Sequence, residues 1–466
     1  MKTKTEQMYA AMNPWRLFFI VAIPGMVSMF AMSVYSVLEG IFIGHALGEE
    51  ALAAINIAFP LVLITNSLAD LIGVGASVPI SIALGKEDYK SANNTFTVSV
   101  IMIFASSVFM GSIMFFAAKP LASMMGADGT LLSTSVRYLR TSAVFCPLAS
   151  FFFAMDNYLR ISGYVRMSMI INVISNFLTI GLMSVFLFVL KMDVAGSALA
   201  LSISMSACAL VAMIPFVTRR ALLKFKKPQF SGPLLKQIAA CGSPVFLNNV
   251  AGRITSIIMN ISLMTVGAKV LGEGGGTTAV AVYAVLMYSS DMCWPLLYGI
   301  ADSLAPSLGY NWGAKNYSRV KRIARCAYVG TMAVGLVSTS VLFFMPRVIA
   351  SLFVDAQDVR LLEMAADAIR IFCLTYLFRW IAVTTQSYLS AIEKPARATV
   401  MALSIAFVFP VVLLGALWGF GLSGIWFNFV GVNILAAILS AVFLVSLSRE
   451  IKRRESEYKT VTQKNA

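Results

Sequence analysis

Charge is scarce in this chain. Asp, Glu, Lys and Arg make up 12% of its 466 residues, where ordinary globular domains carry about a quarter. Hydrophobic residues make up 59%, and the mean hydropathy is +0.82. A soluble fold cannot bury that much apolar surface, so the composition points to an all-α integral membrane protein. Histidine is nearly missing. The single His45, with no HExxH and no Ser/His pairing, argues against a membrane hydrolase. The six cysteines, at 146, 208, 241, 293, 326 and 373, show no CxxC spacing. They read as packing residues rather than a disulfide framework or metal knuckle, and no metal or cofactor is expected. The opening MKTKTEQMYAAMNPW lacks a small-residue cleavage site after a short apolar core, so an uncleaved first span is expected.

What the chain does have is long apolar runs. Windows of about 20 apolar residues mark transmembrane helices. Twelve are expected, over 15–44, 51–79, 93–118, 132–161, 166–188, 194–217, 238–270, 278–308, 321–345, 361–391, 396–417 and 422–447. Interior prolines at 24, 60, 147, 244, 295 and 410 predict kinks. With a cytoplasmic N-terminus, 26 of the 36 Lys and Arg residues fall on inside segments and 8 outside, leaving Arg253 and Arg379 within spans. That asymmetry places both ends in the cytoplasm. It also accounts for the formal net charge of +15 as topology and anionic-lipid contact, with no nucleic-acid partner needed.

The two halves repeat each other. Gly85-Lys86-Glu87-Asp88-Tyr89 corresponds to Gly313-Ala314-Lys315-Asn316-Tyr317 at an offset of 228. At the same offset Val194-Ala195-Gly196-Ser197-Ala198 corresponds to Leu422-Ser423-Gly424-Ile425-Trp426, and Tyr158-Leu159 corresponds to Tyr388-Leu389 at 230. Six spans per half means that both halves enter from the same side, a parallel repeat. The expected architecture is two pseudo-symmetric six-helix lobes, 1–217 and 238–447, with a basic linker 218–237 and a tail 448–466. A cleft between two such lobes suits alternating access, whereas a channel or a membrane enzyme does not require the pseudo-symmetry.

Intramembrane charges sort by position. Glu39 and Asp70 have no basic residue within a helical turn in sequence. A carboxylate at membrane depth costs roughly 2.5–3.5 kcal/mol on insertion scales, so Glu39 reads as a cation or proton site, with helix packing as the alternative. Burial disfavours a charged carboxylate in general, which suits a group that gains and loses protons. Asp156 and Arg160 are spaced for an i,i+4 pair. Arg253, Asp291 and Arg379 fall near mid-membrane and read as an ion-pair network, or Asp291 as an anchor for a cationic drug. His45 is expected at the outer rim and Asp302 near the cytoplasmic end. The 26 methionines suit a cavity that repacks around varied ligands; Met29, Met32, Met155, Met259, Met264, Met287 and Met292 are the cavity candidates.

Glu39-Gly40-Ile41-Phe42-Ile43-Gly44, Leu47-Gly48, Ala51-Leu52-Ala53-Ala54, Gly85-Lys86-Glu87-Asp88 and Tyr310-Asn311-Trp312-Gly313-Ala314-Lys315 occur in an order and spacing that resembles the multidrug and toxic compound extrusion (MATE) family along essentially the whole chain. The resemblance implies export of amphiphilic, often cationic drugs and metabolites, driven by inward H⁺ or Na⁺, from a bacterial inner membrane and by a monomer. It also implies that Glu39 stands where the family typically has an aspartate. The fifth span's frequent Asn-x-x-Asp reads Asn176-Phe177-Leu178-Thr179 here, which weakens a Na⁺ cage and favours H⁺. The second-lobe acids used for Na⁺ by some members are not evident, span ten having Gln386. The alternatives are a flippase for lipid-linked saccharides from the wider superfamily and a passive pore.

Overall fold

The structure, a computed structural model, describes residues 4–354 and 358–464. Side chains at 4–6, 37, 40, 41, 44, 45, 48–50, 52 and 458–464 lie outside the description, and His45 is among them. Among the described residues the secondary structure is entirely helical. The first half comprises α1 (Lys4–Ala11), α2 (Pro14–Gly85), α3 (Tyr89–Phe116), α4 (Ala118–Met124), α5 (Gly129–Ala149), α6 (Phe151–Ile161), α7 (Val165–Ser184) and α8 (Val194–Val217). The second comprises α9 (Gly232–Leu271), α10 (Gly275–Ser303), α11 (Ala305–Gly313), α12 (Tyr317–Phe344), α13 (Pro346–Ala350), α14 (Val359–Phe372), α15 (Tyr376–Ala391), α16 (Pro395–Leu403), α17 (Phe409–Leu417) and α18 (Gly421–Lys464).

By length and composition, ten stretches among the described residues can cross a membrane. The shortfall from twelve has two physical sources. The expected span 361–391 is broken by a 3₁₀ turn at Cys373–Thr375, which leaves α14 and α15 individually short. The expected spans 396–417 and 422–447 fall within one apolar stretch, Pro395–Glu457. The first two spans, expected as separate helices, are helical without interruption in α2, through Pro24, Pro60 and Pro79. The segment between them remains helical instead of forming a loop.

The repeat seen in the sequence is a repeat of turns. Glu87 and Lys315 both take positive φ, at 62° and 56°. Each is followed by a capping side chain: Asp88 accepts from the Ser91 N–H at 3.0 Å, and Asn316 from the Arg319 N–H at 3.2 Å. Such caps satisfy backbone donors that the first turn of a helix leaves open. Gly163 and Glu393 form a second matched pair of positive-φ positions, and Lys191 and Gly421 a third, each 230 residues apart.

The chain divides into two compact units, one of Met1–Asn13 and Phe19–Phe246, the other of Pro14–Phe18 and Leu247–Ala466. The boundary lies within α9 rather than after the basic segment 218–237, for two reasons. That segment is strapped to α3: Asn93 accepts from the Lys224 N–H at 2.7 Å, and Asn94 both accepts from the Gln229 N–H and donates to its carbonyl. The start of α9 then crosses α2 at backbone contact. A Cβ on Gly242 would lie 1.8 Å from the Leu71 carbonyl oxygen, and one on Gly75 would lie 2.2 Å from that of Ile238. Small residues permit this approach between membrane helices. Each unit has its own apolar core. Ile43, Ala58, Tyr138 and Ala198 belong to the first; Leu263, Leu286, Phe372 and Tyr376 belong to the second.

Candidate functional site

The first unit carries two acidic sites, one on α2 and one on α6. Glu39 is half-buried, and two phenols approach it. Tyr35, one turn earlier, is buried beside the carboxyl, yet its hydroxyl meets no partner at hydrogen-bond geometry. Tyr138 of α5, 1% exposed, is close enough to feel a charge on Glu39. The charge on this carboxyl would therefore face aromatic side chains and apolar helix, with no cation in ion-pair contact among the described residues. One turn after Pro24, the Ser28 hydroxyl donates back to the Pro24 carbonyl at 2.9 Å.

The second site centres on Asp156 of α6. Arg160 pairs with it at 2.8 Å. From α7, the Ser168 hydroxyl donates to the same carboxylate, and the Asn172 amide does so at 2.7 Å. Arg160 Nε in turn donates to Ser168 Oγ at 3.2 Å, which closes the ring. Asp70 of α2 lies near enough to Asp156 for the two carboxyls to repel each other. Glu39 and Asp70 thus have different neighbours, phenols for one and a charged network for the other. Tyr9 of α1 is tied to the same corner, its buried hydroxyl donating to the Arg160 carbonyl.

Ser168 and Asn172 had no part in the sequence reading, although a signal was there. Ser168, Asn172, Asn176 and Thr179 recur at 4, 4 and 3 residues along an otherwise apolar α7, the spacing of one helix face. Asn176 is half-buried. Thr179 is buried, and its hydroxyl donates to the Ser175 carbonyl of its own helix at 2.8 Å. Donation to the previous turn leaves only the lone pairs of that oxygen for a ligand.

In the second unit the expected ion-pair network is not made. No ion pair within 4.0 Å joins Asp291 to Arg253 or Arg379 among the described residues. Arg379 instead sits over the Trp294 ring, 5.9 Å from its centroid, where an indole face attracts a guanidinium. Asp291 and Arg253 have exposed side chains. Asp302 accepts from the Ser387 hydroxyl across α10 and α15.

The methionine candidates separate by burial. Met155 and Met259 are 0% and 2% exposed, interior residues of their units. Met29 and Met287 are half-buried, whereas Met32, Met264 and Met292 are exposed.

Comparison with known proteins decides the family. The MatE family model matches this chain twice, at residues 24–185 and 253–414. The chain belongs to the MATE family. The double match follows the internal repeat, and the family is one of membrane transporters. Among curated relatives, the multidrug export protein MepA of Staphylococcus aureus strain MSSA476 is 26% identical over 92% of this chain and 93% of its own. MepA of Staphylococcus saprophyticus is 24% identical with the same coverage. A MATE crystal structure in complex with MaD3S superposes with a TM-score of 0.90 at 23% identity, covering 97% of this chain and all of that one. An outward-facing multidrug resistance MATE transporter gives 0.88 at 22% identity, again covering 97% and 100%. A superfamily transporter from Pyrococcus furiosus, described as having a binding pocket of reverse polarity and a different function, gives 0.86 at 23% identity over 98% and 99%. The fold is therefore the twelve-helix, two-lobe MATE fold.

Proposed function

We propose that this MATE-family protein is a multidrug exporter that couples outward movement of amphiphilic organic cations to inward movement of H⁺, in preference to Na⁺, with Glu39 as the coupling residue. The observation that carries the reading is the surroundings of Glu39, a half-buried carboxyl near the phenols of Tyr35 and Tyr138 without a cation in ion-pair contact among the described residues. A carboxyl so placed is stabilised by a proton more readily than by Na⁺, which needs several oxygens around one charge. Asn176 and Thr179 would complete a weaker Na⁺ site, and Asp70 is the second candidate for the proton. Coupling requires only that proton and drug favour different states, because a ligand shifts an equilibrium through its differential affinity alone. Bending of α2 at Pro24 is the conformational element on which protonation would act. In keeping with this function, the proposed setting is the bacterial inner membrane, with both termini cytoplasmic and the monomer as the working unit.

Drug efflux from proteoliposomes under separately imposed H⁺ and Na⁺ gradients tests the coupling. An H⁺ gradient should drive efflux and a Na⁺ gradient should not; the opposite result reverses the ion. Glu39→Gln should melt like the wild type and lose gradient-driven efflux, whereas Glu39→Asp should retain part of it. Wild-type efflux from Glu39→Gln would remove Glu39 from the mechanism. Efflux that continues after ionophores collapse both gradients would instead indicate a passive pore. For the topology, a cysteine placed at Lys227 should resist labelling from outside intact cells.

A second reading is favoured by one observation. Arg253 and Arg379 have no acidic partner in ion-pair contact among the described residues, so an anionic substrate, such as a lipid-linked saccharide, would find two available cations. Arg379→Gln separates the two: export of organic cations should survive it, and handling of a pyrophosphate lipid should not.

A further inference from the structure

At one end of the second unit, the start of α12 and the extended end of α18 line a cavity of about 570 Å³. Its wall includes Lys315, Lys321, Arg322 and Arg325, with Glu455 as its only acid. Lys321 holds both Glu455 oxygens, at 3.1 and 3.0 Å, so the one carboxylate is already neutralised. Arg322 and Arg325 are exposed and have no acidic partner among the described residues. Two guanidiniums therefore converge on an open cavity with nothing to compensate them, and fork-shaped donors of this kind suit phosphate oxygens.

What lies below the cavity narrows the ligand. Continuing down α12 from Arg322 and Arg325, the same face presents Val329, Met332, Leu336 and Phe343. These follow Arg325 at steps of 4, 3, 4 and 7 residues, the last being two helical turns, which keeps them on one helix stripe, and are 39%, 37%, 47% and 48% exposed. A soluble phosphate would use the cations and leave this strip unoccupied. A phospholipid would use both, with its headgroup in the cavity and an acyl chain along the strip. On these grounds we propose that the Arg322–Arg325 cavity is a specific binding site for an anionic phospholipid at the membrane–water boundary.

The site shares no residue with the transport reading, and its test needs no transport. The full chain purified in detergent is offered equimolar phosphatidylglycerol and phosphatidylcholine, and retained lipid is read by native mass spectrometry. Phosphatidylglycerol should be retained over phosphatidylcholine. Arg322→Gln with Arg325→Gln should weaken that retention about 30-fold, as expected for two cations near an anionic headgroup. Arg449→Gln with Lys452→Gln removes the same charge from exposed positions outside the cavity wall and should leave retention unchanged. Met332→Ser with Leu336→Ser keeps both cations and should weaken retention several-fold. Equal loss in the 449/452 variant, or unchanged retention in the 322/325 variant, would overturn the proposal. Displacement of the lipid by millimolar glycerol phosphate, together with unchanged retention in the 332/336 variant, would mark a site for soluble anions and overturn it too. Melting curves of each variant separate loss of the site from loss of the fold.

Discussion

The two lobes share their turns and differ in their interiors. Positive-φ residues recur at 87 and 315, 163 and 393, and 191 and 421, and an Asx cap follows the first pair in both lobes. Corresponding helices are also tied alike by a tyrosine hydroxyl, through Ser99 and Tyr158 between α3 and α6 and through Tyr328 and Thr385 between α12 and α15, each at 2.7 Å. The position of Asp156, however, is occupied in the second lobe by Gln386, in the register that matches Tyr158 to Tyr388. Where the first lobe has a carboxylate held by Arg160, Ser168 and Asn172, the corresponding helix of the second pairs Thr384 with Thr331 at 2.7 Å and Ser387 with Asp302. The backbone plan is thus maintained by turn chemistry, which leaves each interior open to specialise. In this protein the network centred on Asp156 is found in the lobe that also holds Glu39 and Asp70, while the carboxylate cluster of the second lobe is Glu450 with Lys394, Arg397 and Arg454.

The largest expected effect breaks this contrast at its centre. Asp156→Ala leaves the Arg160 guanidinium, 5% exposed, without its carboxylate, and should cost about 3–5 kcal/mol. Gln386→Ala at the matching position should cost about 1 kcal/mol. Comparable losses in thermal melting would mean that the Asp156 network is no stronger than its neutral counterpart. Adding Arg160→Met to Asp156→Ala should restore part of the stability, because no unpaired charge then remains buried.

Gly242→Ala should cost about 1–3 kcal/mol, since its Cβ would meet the Leu71 carbonyl and force α2 and α9 apart. Gly252→Ala, on the same helix with open space around it, is the neutral control, and equal melting of the two would discount the crossing. The lobes should behave alike at their caps: Asp88→Ala and Asn316→Ala should each cost about 1 kcal/mol, and a clear difference between them would weaken the structural repeat. The smallest effect is expected at Asp291→Ala. Without an ion pair to lose, it should melt within about 0.5 kcal/mol of the wild type. A fall of several kcal/mol would restore the network with Arg253 and Arg379.

By itself the sequence determined the features that depend on local chemistry. The scarcity of charge and the length of the apolar runs dictated membrane helices, and the matched Gly-Lys-Glu-Asp-Tyr and Gly-Ala-Lys-Asn-Tyr segments marked a repeat because positive φ and Asx caps are properties of a few adjacent residues. Spacing alone also indicated the Asp156–Arg160 pair, both partners being on one helix. The tertiary structure decided whatever depends on two helices meeting. It brought Ser168 and Asn172 of α7 to Asp156, placed Asp70 near that network, and brought Tyr138 of α5 towards Glu39. It also attached segment 218–237 to α3, and it set Arg379 over Trp294 rather than against Asp291. In those cases the outcome depended on which faces pack together, and a charge of long reach can be satisfied by an indole as well as by a carboxylate. One sequence supplies both partners; only the crossing of the helices selects between them.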